Sequence, residues 1–222
     1  MNYLLPFLSV LLGYGIALFL EPKNKKNLKL LLAFSGAFLL ALTIFHLLPE
    51  VYAASNPSIG LFIMLGILFQ IVLEVASKGA EHGHVHGHDS ITQIPWLLFI
   101  SLCVHALLEG IPVSQHPSLA LGIAVHHLPI AIILATFFRK GNLNARALFI
   151  FMLGFAFMTP IGTLLGGSAP IINQYATEIT AVVIGILFHI SSTIIFESSE
   201  GHKFNVAKIS VIVLGMALAY LL

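Results

Sequence analysis

Eight apolar runs, each near the length of a bilayer's hydrocarbon core, occupy almost all of this 222-residue chain. A spanning helix needs about 20 apolar residues. The runs fall at 4–20, 28–48, 58–77, 94–114, 118–138, 145–167, 178–196 and 204–222. Composition agrees: 58% of the residues are hydrophobic and 9% charged, where a soluble domain carries roughly 25% charged residues. The sequence therefore predicts one all-α integral membrane domain of eight transmembrane helices, with no soluble domain left over. The opening "MNYLLPFLSVLLGYG" lacks a basic leader and a cleavage pattern, so it reads as the first spanning helix and not as a removed signal. One cysteine, Cys103, excludes an internal disulfide, and no CxxC zinc pattern occurs.

Charge orients these helices. Cytoplasmic loops collect Lys and Arg. Lys23, Lys25, Lys26 and Lys29 lie at the first connection, Lys78 flanks the third, Arg139, Lys140 and Arg146 bracket the fifth, and Lys203 and Lys208 the seventh. Those are all ten basic residues, and every one is at an odd-numbered connection. Both termini are thus expected outside and the third connection in the cytoplasm, in a plasma or inner membrane. Helices 1–3 then start outside and helices 6–8 inside, a layout that suits an inverted-repeat transporter.

Against this background the polar residues stand out. In "SLCVHALLEG", His105 and Glu109 are four residues apart, one turn apart on one helix face. His105 is nine residues from the outer end of the fourth helix, roughly 13 Å at the helical rise. His126 and His127 are eight and nine residues into the fifth helix, and His189 eleven residues into the seventh. Four histidines on three helices therefore reach one level near mid-bilayer. An ionisable group at that depth costs roughly 2.5–3.5 kcal/mol on insertion scales. Imidazole and carboxylate together are ligands for zinc and neighbouring divalent metals, and a bound dication would keep Glu109 ionised. A lone intramembrane histidine is commonly a neutral interhelical hydrogen-bonder, which competes evenly for His189 alone. His126 and His127 point about 100° apart on a regular helix, so both reach one metal only if Pro129 distorts it.

Other features mark a route. His46 and Glu50, in "HLLPE", form a second spacing of four at the outer end of the second helix, either a vestibule or a solvated helix end. Glu74 is expected to pair with Lys78. Glu197, Glu200 and His202 sit at the inner end of the seventh helix. The stretch "EHGHVHGHD" carries His82, His84, His86 and His88 at every second position with Gly83 and Gly87. Such a tract binds metals loosely and exchangeably. "GTLLGG" permits close helix approach, and Pro160 in "MTPIG" predicts a broken sixth helix.

These residues resemble the ZIP (Zrt- and Irt-like protein) family of divalent metal transporters. The resemblance rests on "HALLEG", "HHLP", "HLLPE", "TPIGTLLGG" and the histidine loop between the third and fourth helices. It implies a 3+2+3 arrangement, in which helices 1–3 and 6–8 are inverted repeats around helices 4 and 5. It also implies metal influx through a site between helices 4 and 5, with His105 and Glu109 on one side and His126 and His127 on the other. Two positions depart from the family pattern: Ala106 replaces an Asn common after the first histidine, and Ile130 replaces a common Glu or His after the proline. A second, bridged metal is therefore not expected.

The function expected is secondary transport of zinc or a similar divalent cation into the cytoplasm, with no enzymatic activity and no prosthetic cofactor. The cation is the substrate. No GxxxxGK[ST] motif supplies ATP chemistry. The alternative is an intramembrane zinc hydrolase with Glu109 as general base, although no HExxH occurs. A cytoplasm-facing metal sensor built on the histidine loop needs fewer helices than these. Expected partners are the metal ion and the lipid bilayer, without nucleic acid. A homodimer is an option that the sequence leaves open.

Overall fold

The computed structural model describes residues 3–20, 25–54, 56–77, 94–197 and 205–222. Each apolar run carries a helix, and no strand occurs among the described residues. The helices are α1 (Leu4–Phe19), α2 (Lys25–Leu42), α3 (Leu48–Ala53), α4 (Ile59–Ser77), α5 (Trp96–Gly110), α6 (Leu119–Lys140), α7 (Ala145–Ser168), α8 (Pro170–Gln174), α9 (Ala176–Glu197) and α10 (Val206–Tyr220). Six segments are long and apolar enough to cross a bilayer: Lys26–Ala53, Ile59–Ser77, Trp96–Ser114, Leu119–Lys140, Ala145–Ser168 and Ala176–Glu197. α1 and α10 are apolar but shorter, at 16 and 15 residues. The architecture is that of a multi-pass, all-helical membrane protein.

Two prolines behave differently from what local rules predict. The break expected at Pro160 is absent, because α7 runs unbroken from Ala145 to Ser168 with Pro160 buried inside it. A proline weakens a helix by removing a backbone donor, yet inside a bundle the neighbouring helices hold the segment in place. Here α5 supplies that support. A Cβ on Gly162 would lie 2.0 Å from the Leu107 carbonyl oxygen, and one on Gly110 would lie 2.3 Å from that of Thr159. Both glycines are thus required for backbone-to-backbone contact, and the Thr163 hydroxyl donates to the carbonyls of Gly110 and Thr159 at 3.0 Å each. The irregularity occurs instead in the second run. A π turn at Thr43–Leu47 joins α2 to α3 just before Pro49. A proline ring clashes with the carbonyl four residues back, and a widened turn relieves that clash.

α6 is the most enclosed of the six long spans, 67% of its most apolar stretch being buried, against 22% for α4. It packs chiefly on α1, while α5 packs on α7, α4 on α9, and α10 on α2. Gly13 of α1 meets the Leu128 carbonyl, and the Ser9 hydroxyl donates to that of Ala124. α6 thereby stays continuous through Pro129.

The two ends of the bundle differ in charge. Arg139 at the end of α6 donates to the carbonyls of Ala17 and Leu18 that close α1, at 2.6 and 3.2 Å. Lys208 donates to the Ile195 carbonyl near the end of α9 at 2.5 Å. Cations at helix C-termini complement the helix dipole. The opposite end, formed by α3, the turn before α6 and the start of α9, gathers Glu50, Asn56, His116 and Glu178. No Lys or Arg occurs in 47–77, 94–138 or 147–197, so among the described residues no Lys or Arg belongs to that end.

Candidate metal centre

α5 carries His105 and Glu109 on one face, one turn apart, and α6 brings His127 to them. The Nε2 of His105 lies 3.2 Å from Glu109 Oε2, and the Nε2 of His127 lies 2.5 Å from Oε1. One carboxylate therefore stands between two imidazoles. The three residues are 2%, 0% and 1% exposed in the order His105, Glu109, His127. One donor atom from each lies within 4.8 Å of the others, and this is the one such three-donor group among the described residues.

The packing explains why these side chains meet. α5 is pressed onto α7 at Gly110 and Gly162, and α6 onto α1. α5 and α6 themselves make little close backbone approach. The space between them is bridged by the side chains of His105, Glu109 and His127, and Phe155 of α7 closes one side, its ring 5.0 Å from that of His127.

The donor set fits a divalent cation. Zinc takes imidazole nitrogen and carboxylate oxygen at about 2.0–2.2 Å, so tetrahedral donors lie about 3.3–3.6 Å apart. The separation of His105 and Glu109, 3.2 Å, is close to such an edge. The His127–Glu109 separation, 2.5 Å, is shorter than that edge and would have to widen for an ion to sit between the two. Three protein donors leave a fourth position for water or substrate exchange.

The remaining sequence candidates are placed as follows. His126 is 2% exposed beside the group, its ring 6.4 Å from that of His105 and nearly perpendicular to it. The unbroken α6 thus brings His127, and not His126, into the three-donor group. His189 is not brought to this group. It lies on the α4–α9 contact, with Nε2 2.5 Å from Glu74 Oε2. His46 sits in the π turn with Nε2 3.2 Å from the Ala219 carbonyl. It does not meet Glu50, which faces His116. The histidines at 82–88, together with Lys78, Glu200 and His202, lie outside the described residues. Ala106 and Ile130 are both buried in the same apolar cluster.

Sequence reasoning missed His116. It follows Gln115 in the turn between the 3-10 segment Ile111–Ser114 and α6. Pro112 and Pro117 on either side signalled a rigid turn, but nothing in local spacing linked it to Glu50, 66 residues earlier.

No family model and no curated protein matches the chain. What the structure supports by itself is a membrane protein with a buried His/Glu group suited to a metal.

Proposed function

We propose that this chain is a secondary transporter of zinc or a similar divalent cation, moving it into the cytoplasm between α5 and α6. The observation that carries the reading is the buried three-donor group of His105, Glu109 and His127 inside a bundle of membrane-length helices. Buried ionisable groups in a membrane protein mark ion paths, and this set is chemically matched to a divalent metal.

Two further features support the reading. The principal packing pairs map onto each other under an exchange of the first three spans with the last three and of α5 with α6. Under it, α1 on α6 becomes α7 on α5, and α4 on α9 becomes α10 on α2. This is the pattern an eight-span 3+2+3 inverted repeat would give, and inverted repeats place substrate sites at their interface. The second feature is the charge asymmetry of the two ends. An end without Lys or Arg attracts cations, and the basic end is cytoplasmic by the positive-inside tendency. Membership of the ZIP family, through "HALLEG" and "HHLP", belongs to the same proposal.

In operation, Glu109 offers an anionic oxygen to the arriving ion, and His105 and His127 replace its water ligands. Any proton that His127 or Glu109 carries passes to water as the ion binds. Release toward the basic end follows when the helices bearing these donors separate. The driving force is an ion or proton gradient. Purified protein in liposomes loaded with a zinc-sensitive dye tests the proposal: zinc-dependent flux above empty liposomes is expected. A chain that binds zinc but moves none across the bilayer would sink the transport reading.

A further inference from the structure

We propose that Glu50 and His116 form a second divalent-cation site, a collecting site at the anionic end of the bundle. Its role as the first stop on the path rests on the transport reading; its existence as a binding site does not.

The geometry is the argument. Nδ1 of His116 lies 3.3 Å from Oε2 of Glu50. That is longer than the common range of N–H···O hydrogen bonds, about 2.7–3.2 Å. It equals the edge of a zinc tetrahedron with ligands at about 2.0–2.1 Å, about 3.3 Å. As a plain ion pair the contact would contribute little. Glu50 is 64% exposed, and exposed pairs are worth about 0–1 kcal/mol.

The imidazole is pre-positioned. The backbone N–H groups of Gln115 and His116 both donate to the Pro112 carbonyl, at 3.0 and 2.8 Å, and Leu119 N–H donates to the His116 carbonyl at 3.0 Å. Pro117 stiffens the same turn. His116 itself is 13% exposed, so its ring is held while Glu50 remains open to solvent. A held imidazole thus faces a carboxylate that a cation can reach from solvent.

The pair also lines a cavity. Glu50, His116, Gln115, Thr177 and Thr180 surround a space of ≈ 30 Å³, enough for an ion with a water, since one water needs about 10–15 Å³. The Gln115 amide and the threonine hydroxyls offer neutral oxygens for that shell. Glu178 stands at the same end, accepting from Asn56 at 2.9 Å, and no Lys or Arg occurs there to repel a cation. His116 lies seven residues beyond Glu109, so the collecting site is on the order of 10 Å from the buried centre along α5 and its 3-10 extension.

The test uses the full chain with His82, His84, His86 and His88 replaced by alanine, so that loop binding does not enter the count. Zinc titration calorimetry in detergent micelles is expected to give two sites per chain. Glu50→Gln and His116→Ala should each remove one of them, while His105→Ala removes the other. His116→Asn serves if the alanine variant loses helical content. In liposomes, Glu50→Gln should raise the half-saturating zinc concentration about tenfold with the maximal rate kept, because a cation-attracting mouth raises local ion concentration by that order. A stoichiometry unchanged in both Glu50→Gln and a folded His116 variant overturns the proposal, even where flux persists. Two sites with the expected losses but no flux in any variant keep this site and reject the transport reading instead.

Discussion

Glu109 Oε1 and His127 Nε2 lie 2.5 Å apart across the gap between α5 and α6, with both side chains sealed from solvent. Two spans that hardly touch through their backbones are thus joined by a carboxylate and an imidazole. In apolar surroundings each of these groups depends on the other, because a buried polar group without its partner is costly.

His105→Ala and Glu109→Ala should each lower zinc uptake by at least about tenfold, since losing a metal donor removes more than the roughly 1.4 kcal/mol that a factor of ten represents. Both proteins should still insert and fold, because α5 is held by its backbone contact with α7. Uptake in vesicles at matched membrane expression measures this. Near-normal rates in either variant would remove these residues from the path.

Deleting residues 82–88 should leave the maximal uptake rate within about twofold of normal. The buried donors His105, Glu109 and His127 all come from α5 and α6. Loose binding by such a tract changes retention and exchange at the surface. Complete loss of flux in a correctly folded deletion would show that the tract is part of the route.

Native protein should hold one ion at the buried centre. A second ion a few ångströms away would be repelled strongly in a low dielectric, and Ile130 and Ala106, both buried in an apolar cluster, offer no bridging oxygen. Ile130→Glu should add that oxygen. The variant is expected to melt lower than native without zinc, because its new carboxylate is buried, and to gain more than native when zinc is added. Two strong anomalous peaks within about 5 Å of each other between α5 and α6 of the native protein, the spacing of two-metal sites, would contradict the single-ion reading.

Gly162→Ala should destabilise and Gly167→Ala should not. A Cβ at Gly162 would meet the Leu107 carbonyl at 2.0 Å, whereas one at Gly167 meets only Ser114 Cβ at 3.8 Å. Overpacking of this kind costs roughly 1–3 kcal/mol. Because Leu107 and Gly110 flank Glu109 on α5, the Gly162 variant should also bind zinc more weakly. Thermal melts and zinc titration of the two variants side by side decide it, and equal behaviour would show that α7 does not position the site.

The helices themselves were legible because hydrocarbon imposes a length and an apolar composition that any reader of the chain can recognise. Glu109 and His105 were legible for a related reason: a spacing of four on a helix defines a shared face without any knowledge of neighbours. Local rules failed where the outcome depended on another segment. Pro160 reads as a break, yet α7 is continuous because Gly162 and Gly110 let α5 lie against it. His46 and Glu50 share the same spacing of four, but the π turn before Pro49 and the nearby His116 send them to different partners. Adjacent His126 and His127 look equivalent in sequence, and the way α6 is set by α1 decides which one faces Glu109. Sequence alone determined which groups are polar inside an apolar helix. Tertiary structure decided which of them meet, because helix faces are brought together by small-residue contacts and backbone carbonyls on other helices, and no spacing within one segment encodes those.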